Sequence, residues 1–264
     1  MSQVDSKYTN LSFVSSEPRK VCPRQRAKML VLTDGDKDII RYVAEFRLVT
    51  IEHLESLTAR KTIWRRLPRL LKSKHVFKKE RGINEKYVYA CTPIQNRSSF
   101  TLAHELMITD IHVALHKTGA IVNWDQGKET WRGQVHQDAF CTLENSQRQE
   151  ANRIDYFIEA DTGTENHQDI TTKIHGYLEH FDRSEIPFRV LFVTTSNGRA
   201  ENLAKLTETL IPQSKRKLFL FAPLEDFKRN CLQPVCFLPY ETSGFSILPG
   251  LKRNEEEGRE IHII

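Results

Sequence analysis

Arg153-Ile154-Asp155-Tyr156-Phe157-Ile158-Glu159-Ala160-Asp161 alternates with a period of two: Arg, Asp, Phe, Glu and Asp at one set of positions, Ile, Tyr, Ile and Ala at the other. That period is a strand's, because successive side chains on a strand point to opposite faces. One face is apolar, and the other carries carboxylates. A carboxylate set among apolar strand residues needs a partner, since burying an unpaired charge is expensive. A second such stretch lies upstream, Val135-His136-Gln137-Asp138-Ala139-Phe140, with Asp138 in phase with His136 and Phe140. Residues 144–152 between them are polar and read as a loop, so residues 134–143 and 153–161 are expected to pair as a hairpin. Two strands that each bring a carboxylate to one place can hold a divalent metal.

Reading outward, residues 169–181 form a helix with Ile170, Ile174, Leu178 and Phe181 inward, and Lys173 and Tyr177, four apart, share one flank of that stripe. Residues 188–194 are a continuous apolar strand of the kind buried in a sheet core. A helix over 198–210 and a strand over 218–221 follow. Upstream, residues 100–117 make a long helix with two apolar faces, Leu102, Leu106 and Val113 on one side and His104, Ile108, Ile111 and Leu115 on the other. Two such faces imply a helix covered from both sides, with a polar strip of Glu105, Thr109, His112 and His116 between them. A short strand over 120–124 completes an order of helix, three strands, helix, strand, helix, strand, an α/β arrangement.

The front of the chain differs in charge. Residues 1–100 hold 21 Lys and Arg against 10 Asp and Glu, and residues 101–264 hold 18 against 24. A basic front and an acidic back point to a polyanion as the partner of the first, or more simply to a solubilising asymmetry. Residues 1–30 read as a flexible basic arm. Asp34 and Asp36 precede a helix over 37–46 and give it an acidic first turn. Thr50 is a candidate N-cap for a helix over 51–57, and a third helix begins near Thr58 and ends near Ser73. In the third helix Ile63, Leu67 and Leu70 face a core, while Lys61, Arg65, Arg69 and Lys72 fall on the opposite side. No acid occurs between Arg60 and Lys79, and Pro68 is expected to kink the helix near Trp64. Two β-type runs around Gly82 then form a hairpin carrying Lys78, Lys79 and Arg81. Three helices and a basic hairpin read as a winged helix-turn-helix, whose third helix would enter the major groove of double-stranded DNA while the hairpin and arm reach phosphates.

No apolar run approaches the roughly 20 residues of a membrane span, and the N-terminal residues lack a signal-peptide core, so a cytoplasmic location without membrane attachment is expected. Five widely spaced cysteines do not make a disulfide framework, and Cys231 and Cys236 are a lone Cys-x4-Cys pair, too little for a zinc site. Nucleotide-binding loops and serine-hydrolase elbows are absent, as is the His-hydrophobe-His motif of relaxases with a tyrosine nucleophile.

The element order, with carboxylates on the first helix and on the second and third strands, resembles the PD-(D/E)XK nuclease fold. Residues 35–220 resemble the replication-relaxation family of plasmids and other mobile elements, which joins a winged helix to such a core. The matching stretches are Trp64-Arg65-Arg66-Leu67-Pro68-Arg69-Leu70-Leu71, His104-Glu105-Leu106, Gln137-Asp138-Ala139, and Phe157-Ile158-Glu159-Ala160-Asp161-Thr162-Gly163-Thr164-Glu165 with Lys173 and Tyr177. The resemblance implies a restriction-endonuclease-like mixed sheet flanked by helices over 98–245, behind a winged helix over 31–95 and ahead of a tail over 246–264. It implies catalytic roles for Glu105, Asp138, Glu159, Asp161 and Lys173, with Asp138, Glu159 and Asp161 as ligands of Mg²⁺ or Mn²⁺. Two positions depart from the family pattern: Gln137 replaces the Pro, and Asp161 replaces the Lys that normally orients water, a role for which Lys173 is the candidate.

Blander roles stay open for each residue. Glu105 could be solvated, Asp138 could cap a turn or pair with Arg153, and Glu159 and Asp161 could accept the N–H groups of residues 162–164. Lys173 and Tyr177 could simply pack their helix. The expected function is DNA processing for a mobile element by metal-dependent phosphodiester hydrolysis, and the alternative is a non-catalytic DNA-binding regulator of replication or transcription. Homodimerisation and a partner protein from the same element are compatible with either.

Overall fold

The computed structural model describes residues 31–81, 87–94, 98–126, 136–145, 152–184 and 186–231. The expected basic arm, the turn at 82–86 and the tail from 232 onward, Cys236 included, lie outside the described residues.

The hairpin read from the acidic strands forms the middle of a five-stranded sheet. Strands β3 (Ile121–Asp125), β4 (Ala139–Asn145) and β5 (Asn152–Asp161) run antiparallel, and β6 (Phe188–Thr194) and β7 (Phe219–Pro223) continue parallel to β5, in the order β3-β4-β5-β6-β7. The alternation in β5 sorts its residues as expected. Tyr156, Ile158 and Ala160 join the core beneath α4 (Ser99–His116) and α7 (Leu224–Asn230). Phe157 joins the core beneath α5 (His167–Arg183) and α6 (Asn197–Leu210) on the other face. Helices thus cover both faces of a mixed sheet, which is why β6, with neighbours on both sides, is apolar almost throughout.

Three details differ from the sequence reading. Strand β4 begins at Ala139, so Asp138 sits just ahead of the strand, although its N–H still bonds the carbonyl of Ile158 at 3.1 Å. Leu178 and Phe181 are only partly buried, and Tyr177 takes the fully buried place instead. A 3₁₀ turn, Gln213–Leu218, and helix α7 were not foreseen.

In front of the sheet, α1 (Asp34–Glu45), α2 (Ile51–Leu57) and α3 (Arg60–Lys72) pack around Ile39, Val43, Leu54, Ile63, Leu67 and Leu70. A two-stranded antiparallel hairpin follows, β1 (Phe77–Lys79) with β2 (Val88–Ala90). Thr50 caps α2 as expected, accepting the N–H of His53 at 3.4 Å. Asp36 has no accessible surface. Its carboxylate accepts the N–H and hydroxyl of Thr33 at 2.9 and 2.7 Å and faces Arg66 and Arg69 at 3.3 and 3.2 Å. Burial alone would raise its pKa, but those hydrogen bonds and guanidinium groups outweigh it and hold the carboxyl below its ordinary range. Helix α3 runs through Pro68 as one assigned element, with Ile63, Leu67 and Leu70 buried and Lys61, Arg65, Arg69 and Lys72 exposed.

The two apolar faces of α4 are covered from two sides. Leu102 and Leu106 pack with Leu48, Val88 and Ala90, and Val113 joins the three-helix core. Ile108, Ile111 and Leu115 lie against the sheet. The polar strip between them is the seam. Thr109 is buried there and donates its hydroxyl to the carbonyl of Leu48 at 2.8 Å. His112 is buried between Phe46 and Trp124, stacking on the indole at 4.0 Å. Among the described residues no helix is long and apolar enough to cross a membrane.

Candidate functional site

The β4–β5 register ends with Ala139 opposite Ile158, and the N–H of Asp138, just ahead of it, also bonds the Ile158 carbonyl. This end of the hairpin brings Asp138 near enough to Glu159 for its charge to be felt there. Oδ2 of Asp138 accepts the N–H of Ala160 at 2.8 Å and faces Nε2 of His104 at 3.1 Å. Hydrogen bonding to Asp138 raises the pKa of His104 against the burial that would lower it. Among the described residues Oδ1 of Asp138 accepts no hydrogen bond.

Glu159 is 1 % exposed. Its Oε2 accepts from Lys173 at 2.7 Å, and its Oε1 accepts the hydroxyl of Tyr177. Burial is the dominant influence and pushes the carboxyl up to about 7, in spite of the ammonium and phenol beside it. Lys173 also donates to Glu165 at 2.6 Å. Its burial would favour the neutral amine, but the two carboxylates reverse that and keep it protonated. The Tyr177 hydroxyl is raised well above its ordinary pKa, first by burial and then by Glu159. Lys173 and Tyr177 sit one helical turn apart on α5, and that spacing lets both reach the same carboxylate from one helix face.

Asp161 has different partners. Oδ2 accepts from Nε of Arg199 at 2.6 Å, Oδ1 lies 3.4 Å from Nη2 of the same guanidinium, and Oδ1 accepts the N–H of Gly163 at 2.8 Å. Gly163 has φ +86°, a left-handed conformation that glycine adopts without strain. Arg199 also donates to the carbonyl of Glu165 at 2.9 Å. Asp161 therefore ties the Thr-Gly-Thr turn to the start of α6. The parallel register explains this, because Asp161 lies beside Thr194, five residues before Arg199.

Of the residues singled out from sequence, Asp138, Glu159 and Lys173 are brought together. Glu105 lines a groove of about 340 Å³ with Arg47, Leu48, Cys91 and Gln126 on the three-helix side of α4. The α4 residue that contacts Asp138 is His104. One residue is 100° of helix, and the apolar face that groups His104 with Ile108, Ile111 and Leu115 is the one that packs on the sheet. Glu165, Tyr177 and Arg199 complete the surroundings. Tyr177 was legible from its four-residue spacing to Lys173, whereas Arg199 depends on the β5–β6 pairing. Arg153, a sequence-level candidate partner for Asp138, pairs instead with Glu144 at 2.7 Å.

The fold and this geometry can be compared with known proteins. Residues 95–187 match the replication-relaxation family model. That segment is similar to the replication-relaxation family, and the rest of the chain lies outside the match. The match spans α4 through α5 and so includes His104, Asp138, Glu159, Glu165, Lys173 and Tyr177 of this replication-relaxation segment. No curated protein and no solved structure matches the chain.

The donor set suits a hard divalent cation such as Mg²⁺ or Mn²⁺, which takes carboxylate oxygens and keeps most of its waters. Asp138 offers an uncommitted oxygen and Glu159 a carboxylate already oriented by two donors. Asp161, with its oxygens held by Arg199 and Gly163, is not part of this grouping.

Proposed function

We propose that this replication-relaxation protein binds double-stranded DNA through its basic front and hydrolyses a phosphodiester at the Asp138–Glu159–Lys173 cluster. The observation that carries the reading is the ion pair of Lys173 with Glu159 at 2.7 Å. It puts a protonated amine beside the strand carboxylate although the strand position two residues on is Asp161. The element order of α4 to β6, helix, three strands, helix, strand, also supports a PD-(D/E)XK-like core.

Asp138 and Glu159 would hold the metal, which when bound supplies Lewis-acid stabilisation of phosphate charge and a more acidic water. Lys173 orients Glu159 and offers positive charge to the phosphate, a stabilisation that is strong where water is excluded. Tyr177 fixes the second oxygen of Glu159. His104, with its pKa raised by Asp138, would donate a proton to the leaving oxygen.

DNA would be held by α3. Lys61, Arg65 and Lys72 are exposed on one side of it. Arg69 is exposed too but also faces Asp36, so its loss would disturb the three-helix core as well as any phosphate contact. Lys78 of the hairpin lies 4.4 Å from the Tyr87 ring, and Lys79 and Arg81 follow it. Lys61→Ala plus Arg65→Ala is expected to weaken duplex binding and to lower the slope of log K against log salt by about 2. An unchanged slope in a fluorescence-anisotropy salt series would remove α3 from the interface.

The decisive experiment is cleavage of supercoiled plasmid by wild type and by Asp138→Asn plus Glu159→Gln, in EDTA, Mg²⁺ and Mn²⁺. Nicking or linearisation that needs both metal and carboxylates is expected. The second reading is a DNA-binding regulator on a retired nuclease core, and one observation favours it: Glu159 is buried with its charge already answered by Lys173. Duplex binding without cleavage in any metal would select it.

A further inference from the structure

A second cluster of metal-ligating side chains lies on the seam between α1 and α4, away from the carboxylate pair. Glu45 ends α1, and His112 and His116 are four residues apart on α4. One ligand atom from each of the three lies within 4.8 Å of the others. Nδ1 of His116 is 3.3 Å from Oε1 of Glu45, and Nε2 of His112 is 3.9 Å from that same oxygen. Two ligands on one tetrahedral ion with bonds of 2.0–2.1 Å stand roughly 3.3 Å apart, so the first pair already has that separation and the second needs only a small torsion.

The surroundings also suit a ligand site. The His112 ring is held by stacking on Trp124 at 4.0 Å and by Phe46 at 4.5 Å, so its orientation is set in advance. Of its two ring nitrogens, Nε2 is the one that faces Glu45. Glu45 is exposed and His116 half-buried, and both border a groove of about 550 Å³ with Gly119, Ile121, Val122 and Asn123. The groove leaves room for water or a further donor to complete the shell.

We propose that Glu45, His112 and His116 bind one borderline transition-metal ion of the Zn²⁺ class and so join α1 of the three-helix front to α4 of the sheet layer. Two imidazoles and a carboxylate favour such an ion over Mg²⁺, which prefers oxygen alone. Three protein ligands with an open position could also serve a catalytic ion, but among the described residues nothing on this seam supplies a general base beyond the ligands themselves, so the role assigned is structural.

The test is titration of metal-stripped full-length protein with Co²⁺, whose visible ligand-field bands report nitrogen coordination. Wild type and Asp138→Asn plus Glu159→Gln should both show the band at one ion per chain, which separates this site from the proposed nuclease site. Glu45→Gln and His116→Ala lie at the surface and should keep the fold, verified by circular dichroism. Each should weaken Co²⁺ at least tenfold, since loss of even an outer-shell partner costs about 10–100-fold. Zn²⁺ should displace Co²⁺ and raise the thermal midpoint of wild type but not of these variants. Absence of the band in wild type, or its persistence in both surface variants, would overturn the proposal.

Discussion

Lys173→Met is expected to lower metal-dependent cleavage by about 10²–10³-fold, the usual cost of removing one preorganised electrostatic group from a reaction centre. Methionine retains an unbranched apolar stem of similar length, so the packing of α5 should survive. What disappears is the donor at 2.7 Å from Glu159 and 2.6 Å from Glu165. Glu159 then feels burial without its counter-charge, and its pKa moves further above about 7. More of the population carries a neutral carboxylic acid at neutral pH, which is a poor metal ligand. Removing one partner of a buried pair can cost about 3–5 kcal/mol in stability, but Glu159 can take up a proton, and that should soften the loss. The measurement is the initial rate of plasmid nicking beside duplex affinity from anisotropy. Affinity should change little, because Lys173 lies on α5 rather than on α3. Nicking at the wild-type rate would show that Lys173 is not the missing lysine.

The second large effect is on stability against pH, and Glu159→Gln exposes it. In the folded chain the Glu159 carboxyl is raised from its ordinary value of 4.5 to about 7. Between those values the unfolded chain has released the proton that the folded chain still holds. The folded state therefore binds more protons there, and its stability falls as pH rises from about 4.5 through 7, then levels. The contribution is on the order of 3 kcal/mol, taking 1.36 kcal/mol per tenfold change in proton affinity. Glutamine cannot ionise, yet its amide oxygen can still accept from Lys173 while its NH₂ donates to the Tyr177 hydroxyl. Wild type should thus lose stability relative to Glu159→Gln between pH 5 and pH 8, read from urea midpoints of the two proteins at both values. Parallel curves across that range would mean that Glu159 is ionised throughout and that Lys173 outweighs burial.

These two residues also show how sequence and structure divide the information. The period of two in residues 153–161 determined that Glu159 leaves the apolar face of a strand, and the four-residue spacing of Lys173 and Tyr177 determined that both leave one side of a helix. The two opposed apolar faces of α4 determined that it would be covered twice, as it is by the sheet and by the three-helix core. Each is a local property, because side-chain direction along a helix or strand follows from backbone geometry alone. Which of the α4 faces meets the sheet was not local: Glu105 was the expected site residue of α4, and the packing puts His104 there.

Partner choice was decided elsewhere. Asp161 and Arg199 are 38 residues apart and meet only because β5 and β6 lie parallel with Asp161 beside Thr194. Glu45 and the α4 histidines face one another only because α1 packs across α4. Arg69, on the basic side of α3 by its spacing, finds Asp36 only once α1 and α3 have docked. Periodicity determines which way a side chain leaves its own element. Only the packing of elements distant in the chain determines which charge it meets, how deeply the pair is buried, and therefore how strongly each group holds its proton.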